Sequence, residues 1–254
     1  MEKTNQFSHG MTKTYWVPVT ILCNPIIDGV QIYPNDKELV FAKEDTEEHI
    51  RQRKNENIGF PYVNVKITDF DFNRYSCSLE KLRSYVTKYV QFWEEHKESG
   101  KAFYFWSKTP GSGKTFLSCC IGNSILNTYA ERVRFITAAD YLALIKEQMN
   151  AERGAEDKTT IYRECDLLIL DDIGRHVSGA WSNQELFRLI DNRNRKNKPT
   201  IFTSNKSLKE LDIDDAIKSR ILEMSYELQL PEESIRADNA KRHKDKFEQM
   251  VLGL

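Results

Sequence analysis

The sequence predicts an α/β fold in which helices cover both faces of a parallel five-stranded sheet, preceded by a small β-rich appendage. From about residue 58 onward, short apolar segments typical of buried strands alternate with segments of helical periodicity. A glycine-rich loop separates the first of these strands from the next helix, within 103–125. A later apolar strand, within 166–172, ends in two aspartates. This combination indicates a fold that binds a phosphorylated ligand.

The expected elements follow from local patterns along the chain. Apolar or alternating segments predict the five strands at 103–106, 133–137, 166–172, 199–203 and 225–230. Apolar residues at 3–4 spacing predict helices at 79–98, 116–125, 138–149, 182–196, 214–223 and 234–252. Ser99 and Gly100 are the expected C-cap of the first helix.

We expect two domains, an appendage of residues 1–57 and an α/β domain of residues 58–254. Alternation at 15–21 predicts one strand, and 26–33 reads as two short strands joined at Asp28 and Gly29. The capping-box spacing from Asp45 to Glu48 predicts a short helix that runs to Asn55. The appendage carries no catalytic constellation, so it is either a structural extension or a region that docks a partner.

Composition limits the function classes. The 254 residues carry a net charge of −1, so any contact with nucleic acid must be a local patch. The five cysteines are scattered without a C-x-x-C pair, which argues against a zinc site or a disulfide framework and fits a reducing cytoplasm. No apolar run approaches the roughly 18 residues of a membrane span. The first ten residues are polar and lack a signal-peptide core, so we expect a cytoplasmic protein without membrane contact.

The glycine-rich loop has the features of a phosphate-binding loop. Gly111 and Gly113 lack Cβ, which lets the backbone N–H groups approach phosphate oxygens. Lys114 supplies a charge for the β- and γ-phosphates of ATP, and the Thr115 hydroxyl can bind Mg²⁺. The residues expected to contact the nucleotide are Pro110, Gly111, Ser112, Gly113, Lys114, Thr115 and Phe116.

One position departs from the usual motif, because Lys108 stands where the first glycine is expected. Either the loop begins differently, or Lys108 adopts a conformation that glycine adopts more easily. A chance match in a surface turn is the alternative, and the acidic strand end described next argues against it.

Three polar residues at strand ends are the expected catalytic groups. Ligands of open parallel sheets bind at the carboxyl ends of the strands, so Asp171 can reach an Mg²⁺ ion held by Thr115, through water. Asp172 is assigned to orienting or activating the attacking water. Asn205, after the strand at 199–203, can hydrogen-bond the γ-phosphate or that water, although an ordinary turn asparagine is the alternative.

Six segments in order resemble one known family. They are FWSKTPGSGKT (105–115), FITAADYL (135–142), LLILDDIG (167–174), PTIFTSN (199–205), IKSRILE (217–223) and ESIR (233–236). Over residues 58–250 the chain is similar to replicative helicase loaders of the DnaC/DnaI type, within the AAA+ ATPases. Each segment alone is weak, whereas all six in this order are specific.

The resemblance implies roles for further residues. Lys114 and Thr115 correspond to Walker A, Asp171 and Asp172 to Walker B, and Asn205 to the first sensor. Two arginines that spacing alone does not single out gain roles, Arg220 as an arginine finger and Arg236 as the second-sensor arginine. A finger acts in trans on a neighbouring subunit's nucleotide, so full activity requires self-assembly.

The chain also departs from the family pattern. Asp172 stands where many AAA+ enzymes carry glutamate, which suits slow hydrolysis. About two dozen residues follow Leu230, too few for a full lid domain.

The family implies an ATP-dependent loader of a hexameric replicative helicase onto single-stranded DNA. Candidate DNA contacts are Lys146, Arg153, Lys158, Arg175 and His176. One alternative is a transposition helper ATPase of the IstB type, and the N-terminal region lacks the long leucine-rich helical stretch expected of that group. Another is an adaptor that binds nucleotide with little hydrolysis, which Lys108 and Asp172 keep open.

Overall fold

A computed structural model describes five short strands between residues 3 and 42, and then residues 62–63, 65–129, 131–150, 157–174, 179–236 and 249. The first strands are Lys3–Asn5 (β1), Thr12–Thr14 (β2), Ile26–Ile27 (β3), Val30–Asn35 (β4) and Glu38–Ala42 (β5). β1 pairs antiparallel with β2, and β3, β4 and β5 form a three-stranded antiparallel sheet. Ile27 pairs with Val30, as predicted for two strands joined at Asp28 and Gly29. The strand predicted at 15–21 and the helix at 45–55 lie outside the described residues.

The central sheet has five parallel strands, as predicted. They are Ala102–Trp106 (β6), Val133–Thr137 (β7), Leu167–Asp171 (β8), Thr200–Ser204 (β9) and Ser225–Gln229 (β10). Their order across the sheet is β10-β6-β9-β8-β7. β9 therefore lies between β6, which precedes the glycine-rich loop, and β8, which ends in the aspartates. All the carboxyl ends meet at one edge, which brings these segments together.

Seven α-helices surround this sheet in the described part of the chain. They are Glu80–Gln91 (α1), Trp93–Ser99 (α2), Lys114–Tyr129 (α3), Ala138–Met149 (α4), Thr160–Glu164 (α5), Ala180–Arg195 (α6) and Asp215–Met224 (α7). A short 3-10 helix, Ile67–Asp69, precedes them. No helix among the described residues has both the length and the apolar character needed to cross a membrane.

The helices cover both faces of the sheet. Successive side chains of a strand point to opposite faces, so each strand contributes apolar residues to both sides. Phe103 and Phe105 of β6 belong to a core that includes residues of α1, α2 and α3. Tyr104, between them, belongs to a second core with residues of α4, α5, α6 and α7. These two apolar layers fix the sheet and with it the edge at which the candidate site lies.

The predicted helix at 79–98 is interrupted. Phe92 leaves the helical conformation, with φ −106° and ψ 38°, and separates α1 from α2. Trp93 follows at the start of α2, is fully buried and donates Nε1–H to Glu131 at 3.3 Å. The apolar periodicity continues through the break, which is why the sequence predicts one helix. Gly100 ends α2 in the left-handed region with φ 67°, as expected for the C-cap.

A fully buried arginine ties α6 to the sheet. The Arg193 guanidinium donates to the backbone oxygens of Tyr162, Cys165 and Pro199 at 2.9, 3.0 and 2.7 Å, and to Thr200 Oγ1 at 2.8 Å. Burial lowers the pKa of Arg193, since it disfavours the charged form. These oxygens replace the hydrogen bonds to water that the guanidinium loses on burial.

Candidate functional site

The glycine-rich loop needs its two glycines for both conformation and space. Gly111 and Gly113 have φ values of 79° and 94°, in the region that side chains disfavour. A Cβ on Gly113 would lie 2.8 Å from the Tyr75 hydroxyl, and one on Gly111 would lie 2.9 Å from the Cβ of Arg236. The loop is therefore enclosed by Tyr75 on one side and Arg236 on the other.

Lys114 begins α3 and folds back over the loop. Its Nζ donates to the backbone oxygens of Ser107 and Thr109 at 3.2 and 3.3 Å, and to Ser112 Oγ at 3.2 Å. Burial lowers the pKa of Lys114, and the nearby carboxylates of Asp171 and Asp172 oppose that shift. The ammonium is thus held at the mouth of the loop, where a phosphate would replace neutral oxygens as its partner.

Lys108 does not require the backbone conformation of glycine. Within the described chain, Asp172 and Asn197 are the non-glycine residues with positive φ, so Lys108 has ordinary φ. Its Nζ forms an ion pair with Glu210 at 3.0 Å, and its N–H donates to Glu232 at 3.0 Å. Of the two interpretations left open by the sequence, the need for a glycine-like conformation at this position is wrong.

Asp171, the last residue of β8, accepts two hydroxyl hydrogen bonds on one oxygen. Thr115 Oγ1 donates to Asp171 Oδ1 at 2.8 Å, and Thr203 Oγ1 donates to the same atom at 2.6 Å. Burial raises the pKa of Asp171, while the hydrogen bonds from Thr203 and Thr115 act in the opposite direction. The structure thus brings together the two residues that the sequence predicts as metal ligands.

Asp172 adopts a left-handed conformation with φ 56°. Aspartate tolerates this region better than most side chains. Its N–H donates to Thr203 Oγ1 at 2.9 Å, and its Oδ1 accepts from Asn205 Nδ2 at 3.4 Å. Asp172 and Asn205, which directly follow neighbouring strands, therefore meet at the same edge of the sheet.

A cavity of about 420 Å³ opens over the loop and these strand ends. This volume is within the range of small-molecule sites. Its lining includes every loop residue from Pro110 to Phe116, together with Asp171, Asp172, Thr203, Asn205 and Arg236. Aromatic rings form one wall, where Phe116 packs edge-on against Tyr62 at 5.4 Å between centroids and stacks with Phe70 at 6.0 Å.

The segment that contains Arg236 lies across the loop. The Arg236 N–H donates to Gly111 O at 3.4 Å, and Arg74 Nη2 donates to Ile235 O at 3.4 Å. Ser76 Oγ donates to Glu233 at 2.5 Å and fixes the beginning of the segment. Arg236 is exposed and borders the cavity, and its role as the second-sensor arginine stays a prediction. The helix predicted at 234–252 lies largely outside the described residues.

Arg220 is the one predicted catalytic residue that does not line this cavity. Its guanidinium binds Asp191 at 3.0 Å and Glu223 at 3.3 Å, and its side chain is 38% exposed. Asp191 also pairs with Arg195 at 2.9 Å. Arg220 therefore has no contact with the candidate site of its own subunit, and its role as a finger remains a prediction.

The candidate DNA contacts are only partly described. The ammonium of Lys146 lies 5.0 Å from the centroid of the Trp181 ring, and Lys158 is exposed. Arg153, Arg175 and His176 lie outside the described residues. The structure thus leaves the DNA-binding patch a prediction.

Sequence reasoning missed several residues of the site. Thr203 carried no signal beyond being a hydroxyl at the end of an apolar strand. Tyr75 donates to Ser112 O at 2.8 Å across a separation of 37 residues. Such long-range support has no local periodicity by which it could be recognised.

The residues present fit ATP and Mg²⁺. Gly111 and Gly113 have the positive φ that lets the N–H groups of a loop turn toward phosphate. Thr115 and Asp171 offer hard oxygen ligands. The described residues contain no cluster of three or more His, Cys, Asp or Glu side chains suited to a metal. This donor set suits Mg²⁺, which takes its other ligands from phosphates and water.

Comparison with known proteins identifies the family of the chain. The sequence model of the family described as IstB-like ATP binding protein matches residues 33–244. The replicative helicase loader DnaC of Escherichia coli (strain K12) is 27% identical over 141 residues, which cover 55% of this chain and 57% of that protein. The chromosomal replication initiator protein DnaA of Onion yellows phytoplasma (strain OY-M) is 30% identical over 174 residues, 67% of this chain and 34% of that protein. The chain thus spans little more than half the length of these relatives, or less.

Solved structures share the fold. A putative primosome component from Streptococcus pyogenes serotype M3 has a TM-score of 0.60 at 19% identity, covering 76% of this chain and all of that one (100%). The DnaC helicase loader gives 0.59 at 23% identity, covering 68% of this chain and 100% of that chain. AMPPCP-bound DnaA from Aquifex aeolicus gives 0.54 at 18% identity, covering 72% of this chain and 55% of that chain. At these identities the likeness concerns the fold alone, which is that of AAA+ P-loop proteins.

Proposed function

The chain belongs to the IstB-like ATP-binding protein family, and from that premise we propose that it binds Mg²⁺ and ATP over the 107–115 loop and hydrolyses the nucleotide. The observation that carries this proposal is the 2.8 Å hydrogen bond from Thr115 to Asp171 beneath the cavity. It joins the loop to the acidic strand end, so that one ion can be shared between them. A surface turn with a chance glycine motif would not have this partner.

The roles of the residues follow from their positions. Lys114 exchanges its loop oxygens for the β- and γ-phosphates, and the loop N–H groups orient the same phosphates. Mg²⁺ bound by Thr115 and Asp171 would neutralise charge on the phosphates. Asp172 and Asn205 hold the attacking water, with Asp172 accepting its proton. Because Asp172 is a short carboxylate, we expect turnover to be slow.

We further propose that this ATPase loads a ring-shaped replicative helicase onto single-stranded DNA. The similarity to the DnaC helicase loader in both sequence and fold supports this role. In this proposal the nucleotide state sets whether the protein grips or releases the helicase, and Arg220 completes the site of a neighbouring subunit. The N-terminal residues 1–57 are the proposed helicase-docking region.

Light scattering on a sizing column tests the loader proposal. The full chain is mixed with the replicative helicase of its own host, with ATP and without nucleotide. A complex of defined stoichiometry in either state supports the loader. A deletion of residues 1–57 should then abolish the complex while the remaining protein still binds ATP. Absence of a complex in both nucleotide states contradicts the loader proposal.

The family match favours one second candidate, a transposition helper ATPase of the IstB type. That function predicts a complex with a transposase and binding to double-stranded DNA. The same column experiment with a transposase encoded beside this protein distinguishes the two functions. The site chemistry proposed above is common to both.

A further inference from the structure

Thr203 is a buried residue at the centre of the candidate site for which no role was expected. It belongs to β9, which lies between the strand before the loop and the strand that ends in Asp171. Leu170 of β8 pairs with Phe202, so Asp171 and Thr203 follow at the same level of the two parallel strands. Side chains at one level of neighbouring strands point to the same face. This register brings the Thr203 hydroxyl against the Asp171 carboxylate.

The Thr203 hydroxyl is used in both directions. It accepts the Asp172 N–H at 2.9 Å and donates its own hydrogen to Asp171 Oδ1 at 2.6 Å. A hydroxyl has one hydrogen to donate. The Asp172 N–H can only donate, so the Thr203 hydrogen points to the Asp171 carboxylate. With an exposed fraction of 2%, Thr203 has no water to exchange for either partner. The hydrogen bond therefore has a fixed direction.

The backbone of Thr203 holds the same turn. Its carbonyl accepts the Ile173 N–H at 2.8 Å. Two hydrogen bonds thus anchor Asp172, one from its own N–H and one from the N–H of the next residue. They stabilise its backbone conformation, whose φ of 56° is unfavourable for a residue with a side chain. This anchoring directs the Asp172 side chain toward Asn205.

We propose that Thr203 is a positioning residue for ATP hydrolysis, because its single hydroxyl sets both the metal-side carboxylate of Asp171 and the water-side carboxylate of Asp172. It donates to the same Asp171 oxygen that accepts from Thr115, at the edge of the cavity. It also links the two carboxylates, so that they keep one spacing relative to each other. This inference rests on the proposed ATPase function and names a residue that acts through others.

The test compares two variants of Thr203. Thr203→Val keeps the shape and removes the hydroxyl, whereas Thr203→Ser keeps the hydroxyl. Partners that orient metal ligands are typically worth about 10–100-fold in activity or metal affinity. We therefore expect Thr203→Val to lower kcat at least about tenfold and to raise the Mg²⁺ concentration needed for tight binding of a fluorescent ATP analogue. Thr203→Ser should remain within about threefold of the wild type on both measures, since it keeps the donor and the acceptor.

Ser204→Ala is the matched control. Ser204 is also buried, lies next to Thr203 and donates to Ile173 O at 2.9 Å in the same turn, without a hydrogen bond to Asp171 or Asp172 among those described. If Thr203 acts only by stabilising this turn, Ser204→Ala and Thr203→Val will lower the melting temperature and kcat together. The proposal predicts that both variants lose a similar amount of melting temperature. It predicts that kcat falls strongly only in Thr203→Val.

The outcomes separate this inference from the proposed function. Unchanged kcat and Mg²⁺ dependence in a folded Thr203→Val variant overturn the positioning role while leaving the ATPase intact. If the wild type binds nucleotide without hydrolysing it, the ATPase proposal fails. The role of Thr203 is then tested only by the Mg²⁺ titration of analogue binding. In that case a Mg²⁺ requirement unchanged between wild type and Thr203→Val overturns the inference, and an increase of about tenfold supports only the positioning of Asp171.

Discussion

Thr115 and Asp171, 56 residues apart in sequence, meet through a 2.8 Å hydrogen bond between the loop and the acidic strand end. Asp171 ends β8 and Thr115 lies in the first turn of α3, so their positions are set by the packed sheet and by the helix. In the proposed site this contact lets the two residues share an Mg²⁺ ion.

Replacing Lys114 should weaken nucleotide binding. Lys114→Ala removes the only lysine ammonium among the described residues that line the cavity, and hydrogen bonds to charged groups contribute about 1.5–3 kcal/mol each. We expect a loss of ATP affinity of at least about tenfold, measured by isothermal titration calorimetry. Lys108→Ala is the control, since this loop lysine pairs with Glu210 at the surface. Equal losses in both variants would contradict the assignment.

Asp172→Asn should separate binding from hydrolysis. Asparagine is similar in shape and tolerates positive φ, so the turn and the N–H bond to Thr203 should persist. The amide cannot accept the proton of the attacking water, and we expect ATP affinity within about threefold of the wild type with hydrolysis lost. A phosphate-release assay beside the calorimetry checks both quantities. Wild-type turnover in this variant would assign the proton acceptor elsewhere.

Arg220→Ala should affect only the assembled protein. Asp191 keeps its ion pair with Arg195 in this variant, so the fold of the monomer should tolerate the change. We expect unchanged ATP binding by the monomer and a loss of about 10³-fold or more in the ATPase of the assembly, the range of arginine fingers.

Arg195→Ala is the control for Arg220, because it removes the other arginine that pairs with Asp191. Sizing must show that both variants still assemble. If both lose activity equally, or if Arg220→Ala melts far below the wild type, Arg220 has a structural role and the finger assignment is wrong.

Arg193→Met should destabilise the fold without touching the site. The change leaves the buried oxygens of Tyr162 and Cys165 without the guanidinium donor, whereas Pro199 O keeps the Leu168 N–H at 3.2 Å, and each unsatisfied group costs about 1–3 kcal/mol. We expect a loss of about 3 kcal/mol or more in the free energy of unfolding in urea. Arg188→Met, which removes an arginine whose side chain is 63% exposed, should cost less than about 1 kcal/mol. Similar losses in both variants would contradict the structural importance of Arg193.

The sheet and the centre of the site were predictable because they follow from local patterns. Apolar strands in alternation with helices determine a parallel sheet, and the common edge of its strands brings Asp171, Asp172 and Asn205 to the loop. The roles assigned to these residues in catalysis stay predictions.

What could not be predicted depends on contacts between distant segments. Tyr75 and Arg74 support the loop and the Arg236 segment from a region without regular structure, and nothing in their own spacing marks them. The break at Phe92 is not visible in the sequence, because the apolar periodicity of α1 continues through it to the buried Trp93. Thr203 looks like an ordinary strand residue until its register with Asp171 is known.

The central claim is that this chain hydrolyses ATP at the site built from Lys114, Asp171 and Asp172, and steady-state turnover tests it most directly. The assay contains Mg²⁺, single-stranded DNA and the host helicase, with the wild type beside Lys114→Ala and Asp171→Ala. We predict that the wild type adds a slow ATP turnover to the rate of the helicase alone. Both variants should lose this added turnover. Nucleotide binding without any turnover in the wild type would contradict the claim and favour an adaptor that uses ATP only as a structural ligand.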